Sequence, residues 1–305
     1  MKKIFFGIIS LIIFSSCEDI ITLDPELGEI QLSVDAFLTN KDEPQVIYLK
    51  NTKQFFDSEL QQPYNADSVY VTDNLNNKFV FESVSNDGAY LWDDSVMIFD
   101  GRVYRLTIKV GGEYYTSTST AYPVPEIDSL NWEYLPPQIG EPNGGYAVEL
   151  VARDLPGQFD YYWIRFLKNG IYDNELGGLN ISVDGTISES AQGDGQLFIP
   201  SVSTFLAYNY EDSLGLGDEA TYEIWSISSQ TFSLWQEVTN QAIFGGGIGA
   251  LFATPTANVR TNIISPSNPK IKDKAVGWFS TSLVSRKSQV LYDKEGERLS
   301  FDPSL

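Results

Sequence analysis

The feature that most constrains this fold is the alternation of apolar and polar residues along the first half of the chain. In IQLSVDAFL, residues 30–38, every second residue is apolar, and GRVYRLTIKV, residues 101–110, repeats the pattern. Alternation with a period of two is typical of a β-strand that buries one face. Gly111-Gly112 then predicts a two-residue hairpin turn into a further strand, and residues 29–121 carry no helical periodicity.

Turn-forming sequences at short intervals divide this region into strands. The segments ADSVYVT and KFVFE flank a loop, residues 73–77, whose side chains tolerate positive φ angles. A second turn, Asn86-Asp87-Gly88, precedes the segment AYLW. About seven strands in roughly ninety residues predict a small β-sandwich over residues 29–121.

Two prolines mark the predicted boundary between two domains. Pro123 and Pro125 make a stiff, extended connector. Beyond it, GYAVELVARD, DYYWIRFLKNG and ATYEIWSIS predict further strands. The chain is therefore predicted to be mainly β, with residues 122–305 forming a second β-rich domain.

One helix is predicted in this second domain, near residues 230–244. Phe232 and Trp235 begin a series of apolar residues at helical spacing, and Ser229 can cap the amino end. The three glycines at 245–247 end the run.

The first sixteen residues have the form of a bacterial lipoprotein signal peptide. Lys2 and Lys3 precede a short apolar run, and small residues precede Cys17, the only cysteine in the sequence. The run is shorter than the ~20 apolar residues of a membrane-spanning helix. We expect cleavage after residue 16, acylation of Cys17 and a lipidated tether over residues 17–28. The alternative is a buried thiol behind an ordinary signal peptide.

Charge and residue usage exclude several classes of protein. Removal of residues 1–16 takes away two lysines and no acidic residue, which changes the net charge from −21 to −23. Such acidity argues against nucleic-acid binding and against a polybasic grip on anionic lipid. The sequence has no histidine and one cysteine, which excludes an intrachain disulfide and a zinc site built from those residues. No cofactor is predicted.

The sequence offers few candidates for catalysis. Without histidine, Ser-His and Cys-His nucleophiles are excluded. A glycosidase needs only two carboxylates, and three pairs are candidates by position. These pairs are Asp93 with Asp94, Asp154 with Asp160, and Asp218 with Glu219. Solvated faces and turns explain the pairs better, so we predict no catalytic residue and no enzymatic activity.

Two loops match known ligand loops only in part. GGGIG at 245–249 lacks the Lys and Ser/Thr of a phosphate loop and follows a helix. Residues 73–77 depart from the calcium-loop pattern at Leu75, and GDGQ at 193–196 is too short for one. We predict a helix end and turns at these places, and no metal site.

Aromatic residues are the remaining candidates for ligand binding, because rings stack on sugars and contact peptides. The candidates are Trp132 and Tyr134, Tyr161 to Trp163, and Tyr208 with Tyr210. Alternation along strands places half of such residues in the core. Tyr208 and Tyr210 lie in a polar segment, so these two are the predicted ligand-binding residues.

Several segments resemble a family of Bacteroidota surface lipoproteins, the domain-of-unknown-function family 4249. The likeness rests on CEDIITLDPE, IQLSVDAFLTN and RVYRLTIKVGGEYYTSTS, and later on WSISSQTFSLWQEVTNQ and KAVGWFSTS. The acidic pair Glu18-Asp19 also resembles a surface-export signal, with a solvated tether as the alternative. The resemblance implies that the first domain is an immunoglobulin-like or transthyretin-like sandwich.

Members of that family are usually encoded beside a TonB-dependent outer-membrane receptor. The resemblance therefore implies a lipid-anchored protein of the outer membrane, facing the cell surface. Its implied role is a non-enzymatic accessory that captures ligand for the receptor or acts as its lid. A structural or adhesive subunit of a surface assembly and a carboxylate-based glycoside hydrolase are the alternatives.

The signal peptide generates the first prediction. Cys17→Ala removes the thiol that would carry the lipid, so the variant should lose palmitate labelling and leave the outer-membrane fraction. Fractionation and metabolic labelling, compared with the unchanged chain, measure both effects. Stable retention of the variant with unchanged labelling would show that Cys17 is not the anchor.

Overall fold

The computed structural model describes residues 29–53, 59–137, 144–157, 159–172, 179–187, 192–206, 214–244, 259–265 and 275–292. The predicted signal peptide and tether, residues 1–28 with Cys17, lie outside these ranges. The described strands are β1 (Leu32–Thr39), β2 (Gln45–Asn51), β3 (Ser68–Asp73), β4 (Lys78–Ser83), β5 (Ala89–Trp92), β6 (Val103–Val110), β7 (Glu113–Thr120), β8 (Ile127–Leu135), β9 (Gly145–Ala152), β10 (Tyr161–Lys168), β11 (Ile171–Tyr172), β12 (Asn180–Val183), β13 (Thr204–Leu206), β14 (Glu219–Ile227), β15 (Ala275–Ser282) and β16 (Val284–Val290). The described helices are α1 (Pro200–Ser203) and α2 (Ser229–Phe244). The prediction of a mainly β chain is confirmed.

Strands β1–β7 of the amino-terminal region and β15 form one eight-stranded sheet in the order β15-β1-β2-β5-β4-β3-β6-β7. The alternating residues of its strands point to a common interior, as the sequence predicted. Buried members of this core include Leu32, Val34, Ile47, Leu49, Val71, Phe81, Tyr104, Leu106, Ile108 and Phe279. The immunoglobulin-like or transthyretin-like likeness stays a prediction.

The two edges of this sheet lie side by side, so the sheet is nearly closed. The Thr281 N–H of β15 donates to the Ser119 Oγ of β7 at 2.9 Å. Nearby, Thr116 and Ile264 exchange two backbone hydrogen bonds of 2.8 and 2.9 Å. Closure covers the edge strands, whose backbone groups would otherwise be open to pairing with another chain.

Strand β15 comes from the far end of the chain and pairs in parallel with β1. The register runs without interruption from Leu32 opposite Ala275 to Thr39 opposite Ser282. Residues 275–282, predicted in the second domain, therefore belong to the sheet of the first. Local alternation identifies a strand but not its partner, and this partner lies more than two hundred residues away in sequence.

The remaining strands form two smaller sheets that pack face to face. In one, β10 and β14 are central, with β16 beside β14 and both β11 and β12 beside β10. The other has the order β13-β9-β8. Their facing residues bury a second core, which includes Leu130, Val148, Leu150, Tyr162, Ile164, Phe166, Tyr222 and Ile224.

Helix α2 covers the opposite face of β10 and β14, and its existence confirms the helical prediction. Its Phe232 and Trp235 pack against Trp163 of β10. The cap differs from the prediction, because Ser228 and not Ser229 accepts the Thr231 N–H, at 3.1 Å. Among the described residues, no helix combines the length and apolar character that crossing a membrane would require.

Substitution of Gly277 tests whether the close approach of β15 to β1 limits stability. Gly277 has φ +101°, and a Cβ at this position would overlap the carbonyl oxygen of Val34 on the paired strand. Gly277→Ala should therefore lower the free energy of unfolding by about 3 kcal/mol or more, measured by urea denaturation.

Gly112→Ala is the matched control for this substitution. Gly112 has φ +86° but nothing within 4 Å of its added Cβ, so only the backbone strain of about 1 kcal/mol applies. Equal losses for the two variants would show that the close approach of β15 to β1 does not limit stability.

Candidate functional site

Four aspartates converge at one end of the β10–β14 sheet. Asp154 follows β9, Asp160 precedes β10, Asp184 follows β12, and Asp194 lies in the loop before α1. The first three are buried, with exposed fractions of 1%, 6% and 2%. Negative charge is thus concentrated where these four chain segments meet.

Three of the four carboxylates accept hydrogen bonds from nearby donors. Asp154 accepts from the Tyr162 hydroxyl at 2.7 Å and from the Gly195 N–H at 3.0 Å, one bond on each oxygen. Asp184 accepts from the Asp160 N–H, and Asp194 from the Gly157 N–H, both at 2.7 Å. These bonds fix the turns, which is the usual use of aspartate in loops.

Asp160 differs from its neighbours. Within the described ranges, no group donates a hydrogen bond to its carboxylate. Burial and the negative charges of Asp154, Asp184 and Asp194 raise the pKa of Asp160 to about 6. The Asp160 carboxylate therefore lacks the protein donor that each of the other three carboxylates has.

Asp160 also lines a small pocket of about 100 Å³. The pocket lies where the connector before β8, the start of β10, the end of β14 and the start of α2 come together. Its rim includes Phe159, which is 58% exposed, and Tyr122, which is 36% exposed. The other lining residues are Pro123, Tyr161, Ser226, Ile227, Ser228 and Ser229. We call this site the Asp160 pocket.

A second charged cluster centres on Glu223 of β14, which is 1% exposed on its side chain. Its carboxylate is paired with Lys41 at 3.3 Å and with Arg165 and Arg286 at 3.7 Å each. The Trp225 Nε1–H donates to it at 2.8 Å. Because Lys41 follows β1, this buried carboxylate joins the β10–β14 sheet to the eight-stranded sheet.

Aromatic rings surround the guanidinium group of Arg165. Its central carbon lies 3.9 Å from the Tyr172 ring centre, 4.6 Å from that of Trp225 and 4.9 Å from that of Trp163. Such cation–π contacts stabilise a desolvated cation. Among the described residues, the Trp163 and Trp235 indole N–H groups and the Arg165 Nε–H have no acceptor. The Glu223 and Arg165 cluster therefore packs between the β10–β14 sheet and the eight-stranded sheet.

The predicted ligand-binding residues Tyr208 and Tyr210 lie outside the described residues. Trp132 and Tyr134 pack edge to face against Tyr292 and Tyr146, with ring centres 5.0 and 5.4 Å apart. In the run from 161 to 163, the consecutive residues Tyr162 and Trp163 are both buried, contrary to simple alternation, because the second core covers one face of β10 and α2 covers the other. Tyr161 lies at the Asp160 pocket.

The carboxylate pairs considered as catalytic candidates separate into two kinds. Asp93 and Asp94 are exposed in a turn. Asp218 caps a turn by accepting from the Gly215 N–H and the Asn169 side chain, both at 2.9 Å. The pair Asp154 and Asp160 is different, since the structure brings both into one buried acidic cluster.

Local sequence patterns do not identify Asp184, Asp194 or Phe159 as site residues. Asp184-Gly185 and Asp194-Gly195 look like ordinary turns in sequence, and their proximity to Asp160 follows from strand pairing alone. Across the described parts of the chain, no group of three or more acidic side chains is arranged to hold a metal ion. The absence of a metal site in the whole protein stays a prediction.

A protein-family model matches most of the chain. The model of a family described as "Domain of unknown function (DUF4249)" matches residues 18–288. The matched segment begins directly after Cys17 and ends within β16, so it includes the four aspartates and the Glu223 cluster. A search of curated proteins finds no match.

Asp160 generates a prediction about stability. Its folded pKa of about 6 exceeds the ordinary 3.8, so the folded protein holds this proton more tightly than the unfolded chain. Stability should therefore fall as pH rises from about 4 to about 6, and the cost should be complete above that range. Asp160→Asn cannot ionise and should be more stable than the unchanged protein at pH 7.5, by about 2 kcal/mol.

Urea denaturation at pH 4, 5.5 and 7.5 measures this difference. Asp94→Asn, which removes an exposed carboxylate, serves as the control and should change little at any pH. A stability difference for Asp160→Asn that does not depend on pH would contradict the proposed ionisation.

Proposed function

The chain belongs to the DUF4249 family, and on this basis we propose that it is a non-enzymatic, lipid-anchored accessory of a TonB-dependent outer-membrane receptor. In this role the protein captures a ligand for the receptor or covers its mouth. The observation that carries the proposal is the position of Cys17, which follows a segment with the form of a lipoprotein signal peptide and directly precedes the matched family segment.

The position of the tether supports a role beside a larger partner. Residues 17–28 separate the predicted lipid from β1, which begins at Leu32. When extended, twelve residues span about 40 Å, enough to let the folded part reach over a neighbouring protein. Anchoring in the same membrane would keep the two at a high effective concentration.

The buried aspartates support the non-enzymatic assignment. A glycoside hydrolase needs two carboxylates that both reach the substrate. Asp160 lines a pocket, but Asp154 is 1% exposed and both its oxygens already accept hydrogen bonds. Asp154 is therefore poorly placed as a nucleophile or base, which leaves Asp160 without a catalytic partner in this pair.

The loops between residues 171 and 218 are the proposed contact surface. Within them, Leu197 and Leu216 expose 50% and 54% of their surface. Exposed large apolar side chains in loops are common contact points for a protein partner. A structural or adhesive subunit would use such residues equally, so the identity of the partner decides between these roles.

Site-specific crosslinking tests the proposed partnership. A photoreactive amino acid at Leu216 of the native lipoprotein should crosslink to a large outer-membrane barrel, identified by mass spectrometry after extraction in mild detergent. The matched control is the same amino acid at Leu75, which is 60% exposed but lies in the β3–β4 hairpin loop. Recovery of the protein alone, or crosslinks to the barrel from Leu75 only, would contradict the proposed arrangement.

A further inference from the structure

We propose that the Asp160 pocket binds the free α-amino end of an amino acid or peptide. In this proposal the ligand's ammonium group pairs with the Asp160 carboxylate. Its adjacent carboxylate or carbonyl oxygen accepts hydrogen bonds from the first N–H groups of α2. The inference rests on the proposed function in one respect, since it gives the capture role a site and a ligand class.

The first argument is the unmet requirement of Asp160. Asp160 is 6% exposed and lines the pocket, and its carboxylate accepts no hydrogen bond from any described residue. Three further aspartates surround it, and none of the described cations is paired with it. A neutral donor would supply a hydrogen bond but leave the negative charge of Asp160 uncompensated. An ammonium group supplies both a hydrogen bond and a compensating positive charge.

The second argument is the helix end on the other wall of the pocket. Helix α2 is 16 residues long, and its first residue, Ser229, lines the pocket. Ser228 satisfies the Thr231 and Phe232 N–H groups through its Oγ and carbonyl oxygen. Within the described chain this leaves the Ser229 and Gln230 N–H groups without a protein acceptor. Unpaired N–H groups at a helix start favour a negative or acceptor oxygen.

The two walls together define the ligand. A carboxylate on one side and N–H groups without a protein acceptor on the other match a cation and an acceptor within one small molecule or chain end. An α-amino acid and the amino end of a peptide both carry an ammonium group next to a carbonyl carbon. Backbone groups are known to capture such chain ends in this manner.

Pocket size and rim are compatible with this ligand class. A volume of about 100 Å³ exceeds several times the ~10–15 Å³ that one ordered water requires, so a few heavy atoms fit. Exposed Phe159 and Tyr122 stand at the rim, where rings stabilise a cation or contact an apolar side chain. The Ser226 Oγ–H donates to the Tyr122 carbonyl at 2.7 Å and holds that part of the rim in place.

At neutral pH, ionised Asp160 lowers the stability of the folded protein because it is buried beside other negative charges. Burial beside like charges disfavours its ionised form, and Tyr162 and the Gly195 N–H compensate Asp154 instead. Residues that break a local rule of stability without visible compensation are expected at functional sites. A bound ammonium group would provide the compensation that the protein itself does not.

Isothermal titration calorimetry on the mature lipoprotein, purified in mild detergent without a receptor, tests this inference. The probes are L-alanine, the dipeptide Ala-Ala, ethylamine as an ammonium group alone, and acetate as a carboxylate alone. L-alanine or Ala-Ala should bind at least tenfold more tightly than ethylamine or acetate at pH 7.5. Which of the two binds more tightly identifies a free amino acid or a peptide as the ligand.

Two variants and a pH series complete the test. Asp160→Asn should weaken binding of the better probe at least tenfold, whereas the exposed Asp94→Asn should leave it unchanged. Binding should also weaken from pH 7.5 to pH 5, because protonation of Asp160 removes the charge that Asp154, Asp184 and Asp194 surround. Circular dichroism of each variant verifies folding.

Three results would overturn the inference. They are no binding of either alanine probe at 10 mM, equal binding of ethylamine, and full binding by Asp160→Asn. None of these bears on crosslinking to a receptor, so the inference and the proposed function fail independently.

Discussion

The parallel pairing of β1 with β15 is the interaction on which the rest of the structure depends. It returns the chain from the second region to the first sheet, and Gly277 permits the close approach by lacking a Cβ. One residue later than β15, at Leu283, the chain crosses into β16 of the other sheet. The Ser226 N–H donates to the Leu283 carbonyl at 3.0 Å, which fixes the crossover. Two sheets that look independent in sequence are therefore joined by one continuous segment.

The crossover at Leu283 also helps to position the Asp160 pocket. Ser226, which holds the crossover, donates to the Tyr122 carbonyl and so fixes the end of the connector at the pocket rim. Helix α2 starts two residues after β14 ends, and its Thr231 accepts from the Trp278 indole of β15 at 3.1 Å. The connector wall of the pocket is thus bonded to β14 at the point where the chain crosses between the sheets.

Two buried acids show how differently the same charge can be accommodated. Glu223 has three cationic partners and an indole donor, and it serves as a packed connection between sheets. Asp160 has three acidic neighbours and, among described residues, no donor to its carboxylate. Burial of a charge is tolerated when it is paired and costly when it is not. The difference separates a stabilising cluster from a candidate binding site.

Local sequence patterns predict strands such as β1 and β6, the Gly111-Gly112 turn between β6 and β7, and helix α2. These features depend on neighbours within a few residues, so periodicity reveals them. Only the tertiary structure decided that β15 pairs with β1, that Ser228 caps α2, and that Asp160 meets Asp184 and Asp194. Those contacts depend on strand order and register between distant segments, and neither is encoded in a local pattern of apolar and polar residues.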